Sequence, residues 1–433
     1  MGLAPGAGQL TAKRIIVWLT LAGAGTGVHL VLWQFSEPAI LFSDFFKAYY
    51  PAGQAVLNNG PNPPWAPVQG AALTFVNLPI LAWLFAPFGQ MSEVAASWTF
   101  LALGIPAALC AWALVARLAR PDSGDPALLL FIFLANGPMV NSLREGNTTH
   151  FLLLLLVIAV LLWRAGQDYA AGLVLGFCAI FKLPLLLFGA YFLLRRRWRV
   201  VAGGATTITV IAALSLWYFG LDINIGWYRF CVEPFVFGVI PAFNVQSVDG
   251  FLIRLVTGDS LLREWLPMRL PIPYNVVRTT VFAAIIGAAA WLSRRADRQE
   301  PLPRVTGKLS GRDLLEFGLV LNLALVLSPV SWTHYYLLLL LPWSLYFGGL
   351  LNLPDDAITR GLMWGSLVLI SLPVLMPTLH PGWAAELIAR TVVSMWLYGG
   401  LLLLVALFRG AWRLKGAESH DEPAATPMSA VAS

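Results

Sequence analysis

An aspartate set among aromatic residues, just past a long apolar run, is the first place in the chain where chemistry can happen. The stretch Ser43-Asp44-Phe45-Phe46-Lys47-Ala48-Tyr49-Tyr50 follows apolar residues at about 15–35. Desolvation in such a setting raises a carboxylate's pKa and suits it to take a proton from a hydroxyl. The same residue types also make an N-capping Asp with an interfacial aromatic belt. Lys47 and Tyr50 stand three and six residues further on, and regular helical spacing puts all three on one face.

Three further stretches carry polar groups between apolar ones. Residues 141–150 read Asn-Ser-Leu-Arg-Glu-Gly-Asn-Thr-Thr-His; there Arg144 and Glu145 are as readily an ion pair with each other, and His150 a cap on the next helix. Lys182 interrupts "GLVLGFCAIFKLPLLLF". A lysine in such a run is costly, and its natural partner is a phosphate, which Lys meets as a point charge; the alternative is snorkelling to the headgroups. "LSPVSWTHYYLLLLLP" gathers Ser328, Ser331, Trp332, His334, Tyr335 and Tyr336 at one helix boundary, where His334 is the residue a plain aromatic belt does not explain. In "NVQSVDGFLIRL", Asn244, Gln246, Ser247 and Arg254 can bond sugar hydroxyls or clamp a phosphate.

What must hold these residues in place is lipid-embedded helix. Only 12% of the 433 residues are charged and 58% are hydrophobic, whereas a soluble domain is about a quarter charged. Thirteen apolar segments can be marked, at about 15–35, 71–88, 93–117, 127–140, 148–163, 170–181, 184–194, 200–219, 276–292, 313–329, 335–351, 358–377 and 386–408. Basic clusters at Lys13/Arg14, Arg117/Arg120, Arg195–Arg199, Arg294–Arg312 and Arg409–Lys415 all fall on one side if both termini are cytoplasmic. That parity requires an even number of crossings. Segment 71–88, broken by Pro79 and Pro87, is the one set aside, as a juxtamembrane or re-entrant helix. The expectation is a cytoplasmic N-terminus at 1–14, one all-α polytopic domain of about 12 transmembrane helices at 15–410, and a disordered cytoplasmic tail at 411–433. Large outer loops fall at about 36–92 and 220–275, and Pro184 turns the chain so that Lys182 sits at the tip of a short hairpin near the outer face. The net charge of +6 follows from the positive-inside bias and needs no nucleic acid. Three cysteines, Cys110, Cys178 and Cys231, give no disulfide framework. There is no Walker, Rossmann, HExxH or CxxC motif, so neither a nucleotide nor a metal held by side chains is expected.

Taken together, "SDFFKAYYPAGQAV", Gly146-Asn147 opening a long apolar helix, "AGLVLGFCAIFKLPLLL" and "SPVSWTHYYLLLLLP", with "NVQSVDGFLIRL" as a fifth stretch, resemble the GT-C glycosyltransferases and most closely glycosyltransferase family 87, over about residues 10–410. The resemblance implies a GT-C fold and transfer of a sugar, mannose foremost, from a polyprenyl-phosphate donor to a glycolipid or glycan acceptor, with inversion. It places the protein in the inner (plasma) membrane with its site on the periplasmic side. Asp44 is then the catalytic base. Lys182, with Arg254 and Arg144, meets the donor phosphate, and Lys47, Tyr50, Asn147, Gln246, Ser247, Trp332 and His334 bind substrate. No cofactor or metal is implied. The chain departs from the family where Gly-Gln is often found (Gly146-Asn147), where a second His can follow the Ser-Pro-Trp motif (Tyr335), and, unlike some related arabinofuranosyltransferases, in having Asp44 alone. These departures leave the sugar and the acceptor open. Two other classes fit a many-helix chain. A lipid-linked-sugar transporter would place charges near the bilayer midplane, and a polysaccharide polymerase or ligase would rely on outer arginines such as Arg144, Arg229 and Arg254.

Overall fold

The computed structural model describes residues 12–36, 41–58, 75–119, 125–299, 310–351, 353–374 and 382–413. The expected cytoplasmic N-terminal residues up to 11, residues 59–74 of the expected first large loop and most of the expected tail lie outside the described residues. Among those described the secondary structure is helical, with two isolated bridges, Val239 with Met268 and Val245 with Trp332, and no strand.

Four helices are long and apolar enough to cross a membrane: Glu93–Leu118, Trp198–Phe237, Ile272–Arg295 and Trp383–Arg413. At 26 residues the first is about 39 Å long, enough for the ~30 Å hydrocarbon core. This is fewer than the twelve crossings expected, for a local reason: most of the other apolar segments are interrupted or short. Ile15–Val31, Pro79–Gly89, Thr149–Arg164, Asp168–Phe181, Leu183–Leu194 and Ala357–Ser371 each run 10–17 residues. The segment expected at 127–140 is two helices, Pro126–Leu134 and Gly137–Glu145, bent by 51°. Asn136 explains the break. Its side-chain oxygen accepts from the Met139 amide at 3.1 Å, capping the second helix, and Pro138 sits in that helix's first turn. The stretch expected at 386–408 breaks at Thr391, between Trp383–Arg390 and Met395–Arg413.

The hairpin expected around Lys182 is present. Helix Asp168–Phe181 stops at Lys182, whose φ of −133° and ψ of 89° leave the helical region, and a 3₁₀ turn at Leu183–Leu186 leads into helix Leu187–Leu194. Helix Leu187–Leu194 ends on Arg195, which engages Glu316 through Nε at 2.9 Å and through its terminal nitrogen. Arg312 Nε adds a 3.1 Å bond to the same carboxylate, and Arg197 pairs with Asp313 at 3.6 Å. Two of the basic clusters assigned to one side therefore meet at one end of the bundle. Lys182 lies at the opposite end of the hairpin arm. The Pro79–Phe85 helix is 3₁₀ and packs against helices Tyr50–Leu57 and Trp198–Trp227.

Candidate active site

The chain after the first apolar helix is tied down before it reaches Asp44. Phe42 takes a left-handed conformation with φ 61°, and its amide donates to the Arg144 carbonyl at 2.7 Å. Residues Phe45–Tyr49 then form a π turn rather than an α turn. Phe45 is fully buried, its ring 5.0 Å from that of Phe100 and 5.8 Å from that of Phe88. The wider turn changes which tyrosine faces the site. Tyr49, not Tyr50, lies beside Asp44. Tyr50 donates its hydroxyl to the Met91 carbonyl at 2.9 Å, away from the cavity, which corrects its expected role in binding substrate.

A cavity of about 760 Å³ opens here. Asp44, Lys47, Tyr49, Arg144, Glu145, Asn147, Lys182, Trp332 and His334 form its polar part. Its apolar walls come from Leu183, Leu187, Phe282, Ile286 and Leu323 on one side and Val76, Trp227, Val232, Phe235 and Val236 on another.

Asn147 is the residue that fixes Asp44. Gly146, at φ 67°, ends the preceding helix, and a Cβ there would stand 2.7 Å from the Cβ of Phe45. The Asn147 side-chain oxygen accepts from the Thr149 amide at 3.1 Å and the Thr149 hydroxyl at 2.6 Å. Its NH2 is thereby turned to Asp44 Oδ2 at 2.7 Å and to the Tyr49 oxygen at 3.4 Å. The Asp44 side chain is 34% exposed, but only to a cavity walled by protein. Desolvation accordingly raises its pKa, opposed by the Asn147 bond and then by the charges of Lys182, Lys47 and Arg144.

Lys182 is buried at 6% exposure, with its Nζ 4.1 Å from the centre of the Tyr335 ring. Burial lowers its pKa to about 7, while Asp44 pulls the other way. His334 sits between two carboxylates, with Nδ1 3.5 Å from Glu145 Oε2 and 3.8 Å from Asp44 Oδ2. Burial, and secondarily Lys182, holds its pKa well below the usual imidazole value, so the ring is neutral. Asp44, Glu145 and His334 each bring a ligand-capable atom within 4.8 Å of the others, the one such grouping among the described residues. The neighbouring positive charges of Lys182, Lys47 and Arg144 act against a cation there and favour an anion.

Three expected substrate or phosphate contacts fall elsewhere. Arg254 is fully buried and does not line the cavity. It donates to the Ala242 and Val245 carbonyls at 2.8 and 2.9 Å and to Ser394 Oγ at 2.9 Å. Gln246 Nε2 donates to the Phe243 and Val393 carbonyls, both at 2.7 Å, and Ser247 caps helix Val248–Thr257 by accepting from the Gly250 amide at 3.1 Å. Arg254 and Gln246 thus tie the loop at 238–247 to the helix break at 391–394 and answer carbonyls that burial would otherwise leave unpaired. Sequence reasoning read polar residues in an outer loop as available to ligand. Two residues were missed. Tyr49 was hidden by the π turn. Glu145 was read as the partner of Arg144, from which it stands 3.9 Å, though it lies closer to His334; its place one residue before the helix-ending glycine was the available signal.

A cavity with a desolvated carboxylate, an ammonium and apolar walls, set in helices that suit a membrane, is the kind of site a membrane enzyme presents. The family model of glycosyltransferase family 87 matches residues 75–312, and the chain belongs to that family and is a glycosyltransferase. Among its relatives is a polyprenol-phosphate-mannose-dependent alpha-(1-2)-phosphatidylinositol mannoside mannosyltransferase of Mycolicibacterium smegmatis, 26% identical over 78% of this chain and 75% of the relative. A pentamannoside mannosyltransferase of the same organism is 28% identical over 72% and 68%. The Mycobacterium tuberculosis phosphatidylinositol mannoside mannosyltransferase is 25% identical over 78% and 77%.

Proposed function

We propose that this protein transfers mannose from a polyprenyl-phosphate-mannose donor to a hydroxyl of a glycolipid acceptor, with inversion, on the extracytoplasmic side of the plasma membrane. One observation carries the reading: Asp44, held by Asn147, and Lys182, whose ammonium makes no hydrogen bond or ion pair among the described residues, border the same cavity, whose walls are apolar. A phosphate near Lys182 and Arg144 would leave the prenyl chain to the apolar wall of Leu183, Leu187, Phe282 and Ile286. Asp44 takes the proton of the acceptor hydroxyl as its oxygen bonds to the anomeric carbon. The bond from that carbon to the phosphate oxygen breaks, and polyprenyl phosphate leaves with the electron pair, its charge met by Lys182. Asp44 then returns its proton to water. Lys47, Asn147, Trp332 and His334 border the space left for the two sugars. The relatives' activities support mannose, the donor and a phosphatidylinositol mannoside as the acceptor class. The same reading has a GT-C fold with about twelve crossings, the shorter apolar helices crossing as well as the four long ones.

Two of the three arginines that would suit a polymerase or ligase stand apart from the cavity: Arg254 is committed to backbone carbonyls, and Arg229 is exposed. The test is transfer by the purified protein in nanodiscs from polyprenyl-phosphate-mannose to phosphatidylinositol mannoside. A mannosylated product made from that donor and not from a nucleotide sugar is expected. Folded protein that transfers no sugar from any polyprenyl phosphate would refute it.

A further inference from the structure

Lys182 presents a problem that the chain solves in an unusual way. An ammonium has three donors, and burying it without acceptors is costly. Lys182 is 6% exposed, and its ammonium makes no hydrogen bond or ion pair among the described residues. What lies against it is the Tyr335 ring, 4.1 Å from Nζ to the centroid, itself only 9% exposed. Tyr335 is in turn fixed. Its amide donates to the Trp332 carbonyl at 2.8 Å, and the ring of His334 stands 5.1 Å from its own.

We propose that Tyr335 is a positioning residue for Lys182, whose ring face holds the ammonium at the polar end of the cavity until a phosphate meets it. This rests on the reading that Lys182 binds the donor phosphate. The ring's negative face attracts the cation without satisfying its three N–H donors. An entering phosphate therefore finds a charge already in place and still unbonded, and little side-chain ordering remains to be done. A carboxylate in the ring's position would neutralise Lys182 and compete with the substrate; an aliphatic side chain would let the lysine swing away.

The test measures affinity for sugar-free polyprenyl phosphate in nanodiscs, alongside donor KM and kcat. Variants are Tyr335→Phe, which keeps the face, and Tyr335→Leu and Tyr335→Met, which remove it, each made in wild type and in Lys182→Ala. Loss of a desolvated cation–π contact corresponds to about 10–30-fold. The expected result is that size of weakening in Tyr335→Leu and Tyr335→Met, carried by donor KM more than by kcat, with affinity kept to within about twofold in Tyr335→Phe. In the Lys182→Ala background the Leu and Met changes should add nothing. Leu and Met variants that bind like wild type, while Lys182→Ala is weakened, would overturn the cradle and leave the phosphate site standing. Equal weakening with and without Lys182 would mean that the ring acts on the lipid directly, which also overturns it. Unchanged affinity in Lys182→Ala would remove the phosphate site and the cradle together. Two face-less side chains of different shape are used so that misfolding of one leaves the other to decide.

Discussion

The side-chain amide of Asn147 donates to Oδ2 of Asp44 at 2.7 Å, although the two stand 103 residues apart in the chain. That bond favours the ionised carboxylate, against the desolvation that favours the neutral acid. Removing it in Asn147→Leu should raise the Asp44 pKa further, moving the acidic limb of the rate profile to higher pH and lowering turnover at pH 7 by roughly tenfold. Asn147→Gln, which keeps an amide donor, should restore part of the rate. A profile unmoved by Asn147→Leu would dissociate the amide from the carboxylate's ionisation.

Asp44→Asn should lower transfer by about 10²–10⁴-fold while leaving donor affinity and thermal stability near wild type. The amide matches the carboxylate in size but cannot accept the proton. If Asp44 served only to cap a helix, Asn would be a good replacement; Asp44 in fact makes no cap bond to the turn at Phe45–Tyr49. A wild-type rate in Asp44→Asn would end the catalytic assignment.

The pH dependence should be bell-shaped in kcat/KM for the donor. On the acid side Asp44 is protonated and cannot act as base, and its raised pKa puts that limb above the ordinary carboxylate range. On the alkaline side Lys182, lowered to about 7 by burial, loses its charge and with it the phosphate. A bound phosphate restores the charge, so the alkaline limb should fade in kcat. Lys182→Arg, always protonated, should abolish the alkaline limb, and Lys182→Ala should weaken donor use more than Lys182→Arg does. An alkaline limb that survives in Lys182→Arg would assign it to another group.

Arg254→Met should act on stability. Its guanidinium serves the Ala242 and Val245 carbonyls and Ser394, and losing these bonds in a fully buried place should cost at least about 3 kcal/mol. The melting temperature in detergent should fall, with donor KM little changed in the protein that remains folded. A selective rise in donor KM would return Arg254 to the phosphate.

Single cysteines in a background lacking Cys110, Cys178 and Cys231 should sort by side, with Asp259→Cys labelled from outside intact cells and Ser310→Cys protected. Labelling of Ser310→Cys from outside would reverse the proposed topology.

How far the sequence foretold these relationships depended on the kind of signal. The helical character and the hairpin at Lys182 were legible, because apolar length and Pro184 act locally. That Lys182 and His334 would border one cavity with Asp44 was foreseen only through the family pattern, since no local rule joins residues so far apart. Tyr50 was misplaced because a π turn shifts the register by one residue with no mark in composition. Arg254 and Gln246 were misread because a buried carbonyl attracts a polar side chain as well as a substrate does, and Ser247 because a helix N-terminus does the same. Four long helices stand where twelve crossings are expected, because apolar composition does not show where a cap such as that at Asn136 divides a segment.

The glycine at 146 has a consequence for motion. Its backbone passes so close to Phe45 that no side chain fits between them, and the Phe42 amide is bonded to the Arg144 carbonyl just upstream. The acid and the amide that holds it are thus mounted on one stiff block, although they stand 103 residues apart in the chain. Substrates cannot be admitted by swinging this loop outward without dismantling the base. The proposed lipid substrates are then expected to enter past the helices bearing Phe282, Val236 and Leu187, which line the cavity and carry neither Asp44 nor Asn147.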